Sequence, residues 1–405
     1  MPERVVITGL GVVSGIGVGV AEFTEGLRAG RNAVVPITAF DTSGFDHANG
    51  CEVTAFDPAG WITRLPAEAL GRASAFAVAA AVMAVADAGL DAGDLRGRRG
   101  CVTIGTADGE AQDLDRLAAQ SVDGGVRAVD PELAARAGTY RLSAAIAWEL
   151  GLPDVEPLTV ATACSAGNYA IGDGFDAIRI GDADYALVGG ADAICRRSFA
   201  SFYRLGIMAP DRCRPFDADR RGILSAEGAG VLLLESLTSA RARGAPIYAE
   251  VLGYGLNCDA RHATAPDQDS IQACMELALR DAGVRPEEVD LVAAHGTGTK
   301  ANDLTEVRAI REVYGAKPPP VVSLKSMLGH TMGASAALSA IACAIAITEG
   351  FIPPTVNHRR TDPECEIDCV PNRAVGADLR IVQNNGFAFS GNNAIVLLAR
   401  CGETP

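Results

Sequence analysis

The chain has 405 residues, a net charge of −15, and 48% hydrophobic against 21% charged side chains. This is ordinary globular composition with room for two or three domains, and the acidic balance argues against nucleic acid or an anionic membrane as the main partner. The longest uncharged apolar runs, 75–86 and 336–348, are too short to span a bilayer, and Met1-Pro-Glu-Arg leads straight into a strand-like run, so no signal peptide and a cytoplasmic location are expected.

Residues 5–8 predict a strand that ends in a glycine turn, 73–88 an apolar Ala-rich helix, 99–105 a strand and 134–149 a helix. The uncharged β-formers from Leu158 predict a buried strand that reaches Cys164. From Ser165 to about Ile180, apolar side chains recur at helical spacing (Ala170, Ile171, Phe175, Ile178). Strands are predicted over 184–190 and 231–235, and 241–246 reads as a polar linker with turn residues. The same order then begins again: a strand over 247–254, an amphipathic helix over 270–282, a strand over 289–294 running to His295, and a strand over 319–324 running to Lys325. A long Ala-rich helix follows to Glu349, and 380–400 reads as two strands joined by the turn Phe389-Ser-Gly-Asn-Asn393. Alternating strands and helices predict an α/β fold, and the recurrence predicts two halves of one plan, 1–245 carrying Cys164 and 246–405 carrying His295 and His330.

Eleven cysteines are scattered with no CxxC, and Cys365 and Cys369 have no nearby histidine pair, so reduced thiols and no metal site are expected. Only Lys300, Lys317 and Lys325 among the 35 basic residues are lysine. Arginine is the default cation here, which singles out each lysine. Three loops follow predicted strands: Ala163-Cys-Ser-Ala-Gly167, Ala294-His-Gly-Thr-Gly-Thr299 and Lys325-Ser-Met-Leu-Gly-His-Thr-Met-Gly333. Sites gather at strand C-termini in α/β sheets. A cysteine at a strand-to-helix turn meets the positive end of the helix dipole, which favours thiolate. A nucleophilic cysteine with two imidazole partners is the chemistry this pattern would serve. Each residue alone has a plainer reading, as core filler, structural histidine or turn glycine.

In order and spacing, Thr162-Ala-Cys-Ser-Ala-Gly167, His295-Gly-Thr-Gly-Thr299 and Lys325-Ser-Met-Leu-Gly-His330 resemble the elongating β-ketoacyl-acyl carrier protein synthases. The likeness runs from Val5-Val-Ile-Thr-Gly-Leu-Gly11 to Asn385-Gly-Phe-Ala-Phe-Ser-Gly391 and includes Arg214-Pro-Phe-Asp217 and Ala226-Glu-Gly-Ala-Gly230. It implies a thiolase-like fold, with two similar α/β halves in an αβαβα stack. It also implies decarboxylative condensation of malonyl-carrier protein with an acyl group on Cys164, in a fatty acid or polyketide pathway. Cys164, His295, His330 and Lys325 would be catalytic, with Lys325 organising His330. The Cys164 and Phe389 N–H groups would form an oxyanion hole, and Thr297, Thr299, Phe387 and Phe389 would bind substrate. No tightly bound cofactor is implied, since the acyl groups arrive on the phosphopantetheine arm of a carrier protein. That carrier would dock on Arg64, Arg72, Arg212 and Arg214. The partner would be an identical chain or a divergent chain-length-factor-like subunit.

Three departures stand out. Ser339 occupies the position where the family has a glutamate paired with the lysine, which leaves the counter-ion of Lys325 open. Ala388-Phe-Ser-Gly-Asn-Asn393 replaces Gly-Phe-Gly-Gly-Thr-Asn. The loop Gly105-Thr-Ala-Asp-Gly-Glu110 is acidic where the acyl pocket is expected to meet the dimer partner. Three rival readings are weaker. A non-catalytic chain-length factor would lack the cysteine, and a CoA-dependent thiolase would lack the second histidine at Gly329-His330. A dinucleotide-binding fingerprint at Gly9-Leu-Gly-Val-Val-Ser14 fails at Ser14.

Overall fold

Largely apolar runs build ten strands of one large sheet, seen in a computed structural model that describes residues 3–402. In the first half these are β1 (Val5–Ser14), β2 (Gly100–Gly105), β3 (Val155–Val160), β4 (Tyr185–Asp192) and β5 (Gly228–Ser236). In the second they are β6 (Ala249–Cys258), β7 (Leu291–Ala293), β8 (Val321–Val322), β9 (Ile381–Phe387) and β10 (Asn392–Ala399). From one edge to the other the order is β3-β2-β4-β5-β1-β6-β10-β9-β7-β8. Read inward from its own edge, each half has the strand order third, second, fourth, fifth, first. The halves meet where Val5, Val6 and Ile7 pair antiparallel with Val251, Glu250 and Ala249.

Helix α1 (Arg72–Asp87) covers the outer face of the first half, and α3 (Gln268–Ala282) with α4 (Lys300–Tyr314) covers that of the second. Between the halves lie α2 (Ala166–Arg179) and α5 (Ser335–Glu349), which touch each other and strands of both halves. The result is the expected αβαβα stack. The apolar stretch Met332–Glu349 has the length and hydropathy to cross a membrane, but 83% of it is buried in this middle layer. Glycines permit the closest approaches. A Cβ on Gly11 would lie 1.8 Å from the Ala80 carbonyl oxygen of α1, and one on Gly167 would lie 2.6 Å from the Ala337 nitrogen of α5.

Four expectations change. The strand before Cys164 is not buried: β3 forms the sheet edge, and Leu158 is 42% exposed. The helix predicted over 134–149 is two helices, Pro131–Arg136 and Arg141–Leu150, parted by a turn at Gly138. The 241–246 linker begins inside a short helix, Leu237–Ala242, capped by the Ser236 side chain. The strands leading to His295 and Lys325 are only three and two residues long.

Overpacking a filled interior costs about 1–3 kcal/mol, and backbone cannot yield as a side chain can. Gly167→Val should therefore lower unfolding stability by about 3 kcal/mol in denaturant melts. Gly60→Ala, where a new Cβ meets nothing within 4 Å, should stay within about 0.5 kcal/mol of the parent.

Candidate active site

Each loop of the site is held by local backbone geometry. Ala163 adopts φ 53, a left-handed turn that delivers Cys164 to the start of α2. His295 follows β7, and Gly296 (φ 41) and Gly298 (φ 75) fold the next turn so that Thr299 caps α4 by accepting from the Asn302 N–H. Lys325 opens a one-turn helix after β8. Gly329 (φ 70) then reverses the chain to His330, whose N–H donates to the Leu224 carbonyl at 2.7 Å while its own carbonyl accepts from the Ala226 N–H at 3.0 Å. The second half thus completes the site by clipping onto the first.

Cys164, His295, His330, Thr297, Thr299, Phe387 and Phe389 all line one cavity of about 1190 Å³. Cys164, both histidines and Lys325 are buried. The two imidazoles are T-shaped at 5.5 Å, Phe387 lies 5.7 Å from His295, and Phe389 rests on Phe202 at 5.8 Å. The Thr297 and Thr299 hydroxyls are 2.8 Å apart.

The hydrogen bonds fix both tautomers. Lys325 Nζ donates to the His295 carbonyl at 2.6 Å and lies 3.4 Å from His295 Nδ1. Ammonium only donates, so Nδ1 accepts and the ring proton is on Nε2. The Met332 N–H donates to His330 Nδ1 at 3.1 Å, which places that proton on Nε2 as well. Both rings are therefore neutral N–H donors. Burial and then the Lys325 cation hold both imidazoles well below the ordinary histidine range.

Burial dominates at Cys164 too. It pushes the thiol up to about 12, opposed by the Lys325 cation and reinforced by Asp192 and Asp108. The resting group is a thiol, so the helix dipole does not by itself produce the expected thiolate.

The open counter-ion has an answer that the sequence did not show. Ser339 is buried and turned to Cys343 on its own helix. The charge facing Lys325 comes first from Glu306 and also from Asp303, both on α4. Glu306 accepts the His295 and Gly296 N–H groups, each at 2.8 Å, and Asp303 accepts those of Phe216 and Gly298. Two carboxylates in the first turns of a helix read from sequence as dipole partners, which hid their role. Only the one-helix spacing behind the His295 loop could have signalled it.

The arginines divide. Arg72 pairs with buried Glu227 at 2.6 Å, and Arg214 is buried against Asp211 at 2.7 Å, so neither is a free docking charge. Arg64 and Arg212 are exposed but do not line the cavity, whereas exposed Arg221, Lys300 and Arg359 do. Asp108 and Glu110 turn inward, accepting from Ser198 Oγ and the Ser74 N–H. No cluster able to hold a metal occurs among the described residues.

Removing the Lys325 charge should relieve its pressure on the rings. In Lys325→Ala, both imidazole pKa values should rise in ¹⁵N NMR titrations, while the parent rings stay as Nε2–H tautomers through neutral pH.

The sequence matches the β-ketoacyl synthase N-terminal domain over residues 2–240 and its C-terminal domain over 248–359. A 3-oxoacyl-acyl-carrier-protein synthase 2 from Synechocystis sp. is 39% identical over 402 residues, covering 96% of each chain. Among solved structures, a chain of the ishigamide ketosynthase/chain length factor is 59% identical with a TM-score of 0.98, covering 99% of this chain and 100% of that one. A type II PKS ketosynthase, bound to a hexaketide and in complex with its acyl carrier protein, is 32% identical at a TM-score of 0.91 over the same shares. With its fold and three loops described and 96% of its length matched by a curated relative, the chain belongs to the β-ketoacyl synthase family of acyltransferases.

Proposed function

We propose that this ketosynthase extends a carrier-bound polyketide chain by two carbons, with Cys164 as acyl acceptor and His295 and His330 as the decarboxylation pair. The observation that carries the reading is the pair of neutral Nε2–H donors beside a buried thiol in one cavity. Cys164 attacks the acyl thioester, the acyl–sulfur bond of the carrier breaks, and the thiol proton leaves with the pantetheine sulfur. The Lys325 cation and the start of α2 favour the transient thiolate. Malonyl-carrier protein then places its thioester oxygen between the two imidazoles. The C–CO₂⁻ bond breaks, CO₂ leaves, and its electron pair forms an enolate that both N–H groups stabilise. The enolate carbon bonds to the acyl carbon, the oxyanion rests on the Cys164 and Phe389 N–H groups, and collapse returns the pair to sulfur. Thr297 and Thr299 hold the pantetheine arm. Neutral imidazoles suit this role because a donor with no net charge does not anchor the malonyl carboxylate that must leave.

Cys164→Ala should abolish condensation, and an acyl probe should map to Cys164 in the parent. His295→Ala and His330→Ala should still accept the acyl group but lose CO₂ release from malonyl-carrier protein by at least about 10²-fold. Parent-like CO₂ release in either variant would remove that histidine from the mechanism.

The partner surface is proposed from exposure. Edge strand β3 bears exposed Leu158, and the helix packed against it, Arg141–Leu150, adds exposed Tyr140 at its start and exposed Trp148. An unpaired edge with apolar side chains calls for a cover, and a homologous, chain-length-factor-like subunit extending the sheet would supply one. The ketosynthase/chain length factor neighbour supports that choice over a second identical chain. Light scattering of the chain with and without such a subunit tests it, and a fully active homodimer would refute it.

Carrier docking is proposed at the cavity mouth, on Arg221, Lys300 and Arg359. Reversing Arg221 and Arg359 to Glu should raise KM for carrier-bound substrate roughly tenfold and flatten its salt dependence. Activity on a small pantetheine thioester should be unchanged. Equal losses on both substrates would place the damage in the pocket.

A further inference from the structure

Strand β9 carries Gln383-Asn-Asn385 at its centre, three polar amides with weak strand preference, each at most 2% exposed. Buried amides require partners, and alternation along the strand sends them to opposite faces. Asn384 faces the middle layer, donating to Asn168 Oδ1 and the Ala336 carbonyl. Gln383 and Asn385 face α4, where they form a directed chain. The Tyr314 hydroxyl donates to Gln383 Oε1 at 2.6 Å, Gln383 Nε2 donates to Asn385 Oδ1 at 2.8 Å, and Asn385 Nδ2 donates to Glu306 Oε1 at 3.0 Å. A carboxylate only accepts, so the direction is fixed from the Glu306 end. Every donor points toward the charge, and such chains polarise cooperatively.

We propose that Tyr314, Gln383 and Asn385 are positioning residues for condensation, an amide relay that keeps Glu306 ionised so that Glu306 in turn keeps Lys325 charged beside the two histidines. None of the three lines the cavity, so they act only through Glu306. The carboxylate needs the help. Burial pushes it upward, opposed first by the Asn385 N–H, then by the Gly296 and His295 N–H groups and the Lys325 cation. Burial also pulls Lys325 down, opposed first by Glu306. The other charged or titratable groups around this pair are Asp303 with its partner Arg220, the Cys164 and Cys213 thiols, and the two imidazoles. Deprotonated Glu306 and protonated Lys325 thus each favour the other's charge.

The inference rests on the decarboxylation mechanism above, and its test has an arm that does not. In the purified chain, with any subunit it requires, CO₂ release from malonyl-pantetheine is followed against pH for the parent, Asn385→Leu and Tyr314→Phe. Loss of a donor raises the Glu306 pKa, so its charge is lost at higher pH, and the weakened counter-charge lowers the Lys325 pKa. The bell should therefore narrow from both sides, with the acid limb moving up by about one pH unit in Asn385→Leu, the equivalent of one charged hydrogen bond. Tyr314→Phe, the milder change at the far end of the relay, should move the same way by less. The second arm is the pH dependence of Cys164 alkylation by iodoacetamide, mapped by peptide. The Lys325 charge favours the thiolate, so below the pH at which Lys325 loses its proton the alkylation rate should fall in Asn385→Leu and its pH profile should change shape. A parent without CO₂ release would count against the mechanism, and the alkylation arm would still decide the relay. Losses in rate or Tm that leave both pH profiles superimposed on the parent would reduce the three residues to structural amides and overturn the proposal.

Discussion

An ammonium taken out of water costs several kcal/mol unless opposite charge and hydrogen bonds return it, and Lys325 is buried between the histidine loops. Its charge is accommodated by the His295 carbonyl, which accepts at 2.6 Å, and by Glu306 and Asp303 behind that loop. The same two carboxylates accept four backbone N–H groups, from Phe216, His295, Gly296 and Gly298. One set of charges therefore both holds the cation and fixes the turn that presents Thr297 and Thr299. The neutrality of the two imidazoles follows from burial first and the cation second, and the cation favours whatever thiolate character Cys164 acquires. The site behaves as a single electrostatic unit in which no member has its usual solution chemistry.

The departures from the family pattern fit this picture unevenly. Losing the glutamate at position 339 does not strand the lysine, because its counter-charge comes from α4, and the serine makes a local contact with Cys343. In the loop Ala388-Phe-Ser-Gly-Asn-Asn393, Ser390 holds φ 62, a left-handed position that a glycine would occupy at no steric cost. A serine there is strained by about 1 kcal/mol. It is held by its N–H donating to the Ala263 carbonyl at 2.8 Å, and the Asp259 N–H donates to the Gly391 carbonyl at 3.1 Å. Phe389 is thereby tied to the opposite rim of the cavity.

The order of elements, the repeated plan and the Cys164, His295 and His330 loops were legible in sequence because each depends on local signals: an uncharged run, a glycine turn, an Ala-rich helix. Most of what escaped depends on placement. The strand before Cys164 was read only from Leu158 onward, which left out Glu156 and Pro157, the local marks of an edge strand, so β3 was misread. The Gly138 turn was lost inside a continuous alanine-rich stretch. Glu306 looks like a surface helix acid, and Asn385 like one more polar residue of a predicted strand, until α4 is laid against β9. Arg72 and Arg214 look like free surface cations until Glu227 and Asp211 are seen beside them.

The interlock of the two halves also bears on how the chain is made. A Cβ on Gly230 of β5 would sit 3.1 Å from the Leu338 nitrogen, and Gly167 of α2 meets Ala337, so the inner face of the first half is finished only by α5. During synthesis, at ~5–20 residues per second, about 100 residues separate the end of β5 from α5. For several seconds the nascent first half presents an apolar face with no cover. A ribosome that pauses within that interval would hold a sticky intermediate, so translation speed between 236 and 335 is expected to govern the soluble yield of this protein.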